Sequence, residues 1–194
     1  MKSGDKIIAL AQFPEKIFHT GDIANIWLIR NKNTLYTTIR RYVEKGVLHR
    51  IYKGYYSLLP PEKIDPRLIG VKALHQYAYV SLETVLFDEG YMSRPPAYIS
   101  FISSKSARFR IGKNRFRSRK MRDRYLFNDC GVTAINGVRT ASAERAIADM
   151  LYYSPLYHFD KTPDWKKIKE MQKKTGYPLT PKRYDSAAAR RRNP

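Results

Sequence analysis

The sequence predicts an α+β protein, with an N-terminal winged helix-turn-helix followed by a small α+β domain with antiparallel strands. Three observations predict it. Three short helix-like segments precede Gly46, each with a turn or cap signal. A hairpin pattern follows them directly. Beyond Pro60-Pro61, helical patterns are interspersed with β-prone runs.

The first helix is expected from Ser3, with Ile7, Ile8, Leu10 and Ala11 as its apolar residues, and Phe13-Pro14 ends it. Thr20 is the expected cap of a second, with Ile23, Ile26 and Trp27 on one face. Asn33 is the expected cap of a third, with Leu35, Ile39 and Val43 at i, i+4 and i+8 and Gly46 as its stop. Residues 48–52 and 55–58 then flank Lys53-Gly54 as two strands around a turn. Pro60-Pro61 marks the boundary, so residues 1–60 form the first domain.

The second domain is expected over residues 61–158. It opens with a helix from Pro66 to about Gln76, followed by one capped by Ser81 and ended by Gly90. Strands are expected at 98–103 and 124–127. Val132 to Thr140 around Asn136-Gly137 is the strongest hairpin signal, because a type I′ turn needs positive φ at both central residues. Ser142 caps the next helix, with Ala143, Ala146, Ile147, Met150 and Leu151 inward and Glu144 in its first turn. Residues 159–194 carry one helix, Asp164 to Lys174, and a basic end with Pro178, Pro181 and Arg190-Arg191-Arg192 that is expected to be mobile.

The charge speaks about partners. Of 194 residues, 37 are Lys or Arg and 17 are Asp or Glu, a formal charge of +20. An excess this large favours a polyanionic partner, with nucleic acid first and an anionic membrane second. No segment approaches the roughly 18 apolar residues of a membrane span. The N-terminus lacks the apolar run of a signal peptide, so a cytoplasmic protein is expected, with no membrane partner. The single cysteine, Cys130, allows no internal disulfide and no zinc cluster.

In a helix-turn-helix the second helix of the motif enters the major groove. At about 100° per residue, Asn33, Thr34, Thr37, Arg40 and Arg41 lie opposite the apolar face of the third helix, with Tyr36 at its edge. Arg can bond guanine bidentately, and Thr and Asn can reach bases or phosphates. Arg50 and Lys53 add a basic wing. These eight residues are the expected contacts to a double-stranded DNA operator. A second basic run spans 105–124, where Phe109, Ile111 and Phe116 interleave with cations. Arg108, Arg110, Lys113, Arg115, Arg117 and Arg119 are its candidate phosphate contacts, as a loop or as a hairpin; a charged segment with no ligand is the alternative.

Three stretches resemble the AbiEi-like antitoxins of type IV toxin–antitoxin (abortive infection) systems, over about residues 5–152. The first is Asn33-Thr34-Leu35 with Tyr42-Val43-Glu44-Lys45-Gly46-Val47-Leu48-His49-Arg50-Ile51-Tyr52-Lys53-Gly54-Tyr55-Tyr56. The second is Ala78-Tyr79-Val80-Ser81-Leu82-Glu83-Thr84-Val85-Leu86. The third is Val138-Arg139-Thr140-Ala141-Ser142-Ala143-Glu144-Arg145-Ala146-Ile147-Ala148-Asp149. The resemblance implies a winged-helix repressor of its own gene. It implies a second domain that antagonises a nucleotidyltransferase-like toxin without direct binding. It also implies that Glu144, Arg145 and Asp149 are structural. The second domain is short for the family, and residues after 152 do not match its pattern.

Catalytic chemistry is not expected. His19, His49, His75 and His158 show no metal spacing, and no P-loop, G-x-S-x-G or H-E-x-x-H pattern occurs. A nuclease core would place an acid two residues before a strand lysine, yet Ser103-Ser104-Lys105 has serine there. No cofactor, no metal and no catalytic residue is expected. The alternatives are an RNA-binding or mobile-element accessory protein using its basic surface, and a metal-dependent nuclease. No long apolar dimerisation helix is present, which leaves a monomer on each half-site open.

Overall fold

The computed structural model describes residues 3–180. The expected basic tail lies, from residue 181 onward, outside the described residues. The chain is mixed α and β and divides into two compact units, one ending at His75 and one starting at Gln76. Pro60-Pro61 falls inside the first unit, where Pro61–Lys63 form a short 3-10 turn.

The first unit contains α1 (Ser3–Ala11), β1 (Phe18–His19), α2 (Thr20–Ile26), α3 (Lys32–Glu44), β2 (His49–Tyr52), β3 (Tyr55–Ser57) and α4 (Pro66–Leu74). Two helix starts differ from expectation. The cap of α2 is His19: its Nδ1 accepts from the Gly21 N–H at 3.2 Å, and its own N–H donates to Asp22 at 2.8 Å. Thr20 is already helical, and its hydroxyl donates to the Gly54 carbonyl at 2.9 Å. The cap of α3 is Asn31, which accepts from the Thr34 N–H at 3.1 Å, so Asn33 lies within the first turn.

The apolar faces meet in one cluster: Leu10 of α1, Phe18 of β1, Ile23 of α2, Leu35, Ile39 and Tyr42 of α3, Leu48 and Tyr56, with Trp27 after α2. Each fully buried aliphatic or aromatic side chain contributes about 1.5–3 kcal/mol relative to exposure. Trp27 also donates from Nε1 to the Lys6 carbonyl at 2.8 Å, which ties α1 to the end of α2. The strands form an antiparallel sheet in the order β1-β3-β2, with Phe18 opposite Tyr56 and Arg50 opposite Tyr56 on the other side.

The second unit is built on a six-stranded sheet, β6-β7-β5-β4-β9-β8. Its strands are β4 (Ala78–Val80), β5 (Ile99–Ser103), β6 (Ala107–Ile111), β7 (Asn114–Lys120), β8 (Val132–Ile135) and β9 (Val138–Ala141). The sheet is mixed: the expected antiparallel pairing joins β4 to β5, β6 to β7 and β8 to β9, while β4 and β9 pair parallel, as do β5 and β7. Its helices are α5 (Glu83–Asp88), α6 (Asp123–Leu126), α7 (Ala143–Tyr153) and α8 (Trp165–Thr175).

The 132–141 hairpin has the expected turn, with φ of 52° at Asn136 and 79° at Gly137. Ser142 caps α7 and Asp164 caps α8. Residues 124–127 are not a strand. Asp123 to Leu126 form a helical turn, closed by the Leu126 and Phe127 N–H groups donating to the Arg122 and Asp123 carbonyls at 2.9 and 3.1 Å, and it buries Tyr125 and Leu126. Ser81 is not a cap either: its hydroxyl donates to Asp149 at 2.7 Å, and α5 starts without a side-chain cap.

No helix among the described residues is long and apolar enough to cross a membrane.

Candidate nucleic-acid interface

Helix α3 is amphipathic because its apolar residues recur at helical spacing. Leu35, Thr38, Ile39 and Tyr42 are buried and Val43 is half-buried. The remaining side is solvent. Asn33, Thr34, Tyr36, Thr37, Arg40 and Arg41 are all exposed, Tyr36 by 55% of its surface. Asn33, Thr37 and Arg40 occupy the middle of that side, with Thr34 and Arg41 on one flank and Tyr36 on the other.

Glu44 lies one turn beyond Arg40 and bonds its Nε at 2.8 Å, with both side chains more than half exposed. A surface pair of this kind is worth only about 0.3–0.5 kcal/mol, so Arg40 is cheaply released to another acceptor. Arg41 borders a surface pocket with Lys6, Lys45, Thr38 and Tyr42. That flank gathers cations from two helices beside the exposed side.

The hairpin that follows presents Arg50 on β2 and Lys53 in the turn, both exposed. Gly54 holds the turn at φ 74°, and its carbonyl accepts from the Thr20 N–H at 2.8 Å as well as from the hydroxyl. The hairpin is thereby anchored to the start of α2. Tyr55 hydrogen-bonds the His75 ring, and His19 packs within 5.0 Å of Tyr55.

Sequence reasoning missed β1, which is only two residues long and so shows no period. It also missed Arg30 and Lys32, exposed on either side of the Asn31 cap. The run Arg30-Asn31-Lys32-Asn33 carried the signal for both the cap and the cations.

In the second unit the basic run forms the β6–β7 hairpin. Phe109 stacks on Phe116 at 5.0 Å on one face. Arg108 lies opposite Arg117, and Arg110 opposite Arg115, on the other. Arg119 continues that row and donates to Glu83 at 2.7 Å. Lys113 is exposed in the turn. The α3 set and the β6–β7 set thus belong to different units.

The charged cluster on α7 is of another kind. Arg145 and Asp149 have no exposed side-chain surface and bond each other at 3.0 Å. Arg145 also donates to the Asn128, Cys130 and Tyr125 carbonyls and to the Tyr79 hydroxyl. Asp149 accepts from Ser81 and, at 2.6 Å, from Tyr177. Burial pushes the Asp149 carboxyl above the usual carboxylate range, while the Arg145 guanidinium and the Tyr177 and Ser81 hydroxyls pull it back. With no surface open to a substrate, the cluster serves packing. Among the described residues, no group of three or more His, Cys, Asp or Glu is placed to hold a metal ion.

No protein-family model matches the chain, and no curated protein matches it significantly.

Proposed function

We propose that this chain is a sequence-specific double-stranded DNA-binding regulator of transcription, acting through its first unit as a winged helix-turn-helix. The observation that carries the reading is the open outer side of α3, lined by Asn33, Thr34, Tyr36, Thr37, Arg40 and Arg41 and followed directly by a basic hairpin. Helix α2 and helix α3 would be the helix-turn-helix pair, and β2 and β3 the wing. The element order supports it, because β1, between α1 and α2, completes a small sheet with the wing strands. Arg40 and Thr37 would read base edges. Arg41, Arg50 and Lys53 would hold phosphates, joined by Lys6 and Lys45.

The test is titration of the DNA upstream of the gene against scrambled duplexes, read by fluorescence anisotropy. Arg40→Ala should cost about 1–3 kcal/mol on the operator and little on scrambled duplex, so base preference relaxes. Lys53→Ala should weaken both alike and lower the salt dependence by about one phosphate contact. Operator affinity unchanged in Arg40→Ala would remove α3 from the groove.

We further propose that the regulator is an autorepressing antitoxin of a type IV system, acting in the cytoplasm. Support for this part is the order of the three family-like stretches in residues 33–56, 78–86 and 138–149. A nucleotidyltransferase-like open reading frame next to the gene is expected. Its toxicity on expression should be relieved by this chain without the two proteins co-purifying. Failure to relieve growth arrest would leave a regulator that is not an antitoxin.

A further inference from the structure

We propose that the arginine-bearing face of β6 and β7 is a second, sequence-independent binding surface for the phosphate backbone of duplex DNA. The inference rests on the second unit alone and goes beyond the reading of α3.

Strand alternation sorts the basic run into two faces. Ala107, Phe109 and Ile111 of β6 share one face with Phe116 and Ser118 of β7. Arg108, Arg110, Arg115, Arg117 and Arg119 share the other. The strand register places Arg108 across from Arg117 and Arg110 across from Arg115, so four guanidinium groups form a two-by-two array that Arg119 extends. Neighbours along a row are two residues, roughly 6.7 Å, apart, and the rows are roughly 4.8 Å apart. A row with that repeat can follow successive phosphates of one strand.

Like charges directly across a strand pair are destabilising. Among the described residues, Arg108 and Arg117 have no carboxylate partner. Among the described residues, the ion pair on this face is Arg119 with Glu83, at the end of the row. Two further members are held by neutral acceptors: Arg115 donates to the Tyr98 hydroxyl at 2.6 Å, and Arg110 to the Gly112 carbonyl at 2.9 Å. The array is therefore oriented and cationic but not neutralised from within. An anion bound across it would remove a cost that the fold carries in its absence.

The residue type points to phosphate. All five positions are Arg, whose planar fork bonds a phosphate through two parallel N–H groups, whereas Lys offers a point charge. A surface pocket of about 270 Å³ lies among Arg108, Arg117 and Arg119, with Ser106, Ala107 and Ser118 completing its walls.

The source of the phosphate is argued from the rings. Proteins that hold single strands stack bases on bare aromatic side chains. Here Tyr98 lies 4.5 Å beneath the Arg115 guanidinium and Tyr153 lies 5.3 Å from that of Arg119, so both rings are already engaged. Membrane surfaces are gripped by basic residues mixed with exposed large apolar ones. None of the exposed large hydrophobic residues lies on β6 or β7. A duplex, which offers phosphates and keeps its bases stacked, is the occupant that fits.

The experiment uses the full chain and a fluorescent duplex of random sequence, titrated over a salt series. R108Q/R117Q and R110Q/R115Q are compared with the unaltered protein, and thermal unfolding is measured for each. Each double variant should weaken binding and lower the slope of log affinity against log salt by nearly two, because each phosphate contact contributes about 0.9. The melting temperature should hold or rise, since like-charge pairs are relieved. A residue needed only for the fold would lower it. Should a double variant fold poorly, R108Q and R110Q carry the same test at about one unit of slope each.

An unchanged slope overturns the proposal. An equal loss on single-stranded DNA or heparin overturns the duplex assignment, as does tighter binding to duplex RNA. Base preference at the operator should stay as in the unaltered protein, so this result and the Arg40→Ala result fail separately.

Discussion

Arg145 shows how one residue can organise a loop. Its guanidinium satisfies the carbonyls of Asn128 at 2.8 Å, Cys130 at 2.9 Å and Tyr125 at 3.0 Å while pairing with Asp149. Desolvation opposes its charge, but Asp149, Tyr79 and Tyr177 outweigh that, and the group is held charged. Arg145→Met should cost about 3–5 kcal/mol in urea denaturation, because Asp149 is left buried without its countercharge. A simple buried pair is often recovered by replacing both members with apolar residues. Here R145M/D149L should not recover, since three carbonyls lose their donor at about 1–3 kcal/mol each. Full recovery in the double variant would mean that the pair, and not the carbonyls, is what Arg145 serves. Gly131 guards the same spot. Its φ is 72°, and a Cβ there would sit 2.8 Å from the Met171 methyl and 3.0 Å from the Arg145 Cβ.

At the scale of elements, the start of α3 allows stability and the proposed recognition to be tested separately. Asn31, the cap of α3, and Asn33, in its first turn, are two residues apart, and it is Asn31 that bonds a helix N–H. Asn31→Ala should lower stability by about 1 kcal/mol. Asn33→Ala should leave stability unchanged or slightly raised, because Ala is the better helix former, and should weaken operator binding. Equal stability losses from the two would contradict this division of labour. The capping asparagine was hard to read because Arg30-Asn31-Lys32-Asn33 offers two equivalent candidates and no acidic N3 residue to choose between them. His19 was overlooked as a cap because an imidazole nitrogen rarely fills that position. The α3 face itself was legible, since its apolar spacing depends on local periodicity alone. So was the Asn136-Gly137 hairpin, whose turn chemistry is local. The parallel pairing of Val80 with Thr140 was not, because it joins residues far apart in the chain. The arginine array was half legible: alternation of Phe and Arg suggested a strand, but only the register shows that arginines face arginines. Tyr125 and Phe127 have β-prone side chains, yet the backbone there closes local helical bonds back to Arg122 and Asp123 and pairs with no strand.

At the scale of the whole chain, a formal charge of +20 acts on folding and binding with opposite signs. Self-repulsion among the cations destabilises the compact state. Added salt screens it, with a Debye length falling from about 30 Å at 0.01 M to about 8 Å at 0.15 M. The melting temperature should therefore rise as sodium chloride is added over that range, while DNA affinity falls. On the proposed function, duplex DNA at low salt would supply the missing anions directly. At about one hundred times its dissociation constant it should add roughly 2.7 kcal/mol. For a chain of this size that corresponds to a rise of about 5–10 °C at roughly 2–4 °C per kcal/mol. The DNA-induced rise should shrink as salt increases, and the two curves should converge near the concentration where binding is lost. A melting temperature that ignores salt, with a DNA effect that also ignores it, would mean that the cations are solvated decoration and that the polyanion reading of the charge is wrong.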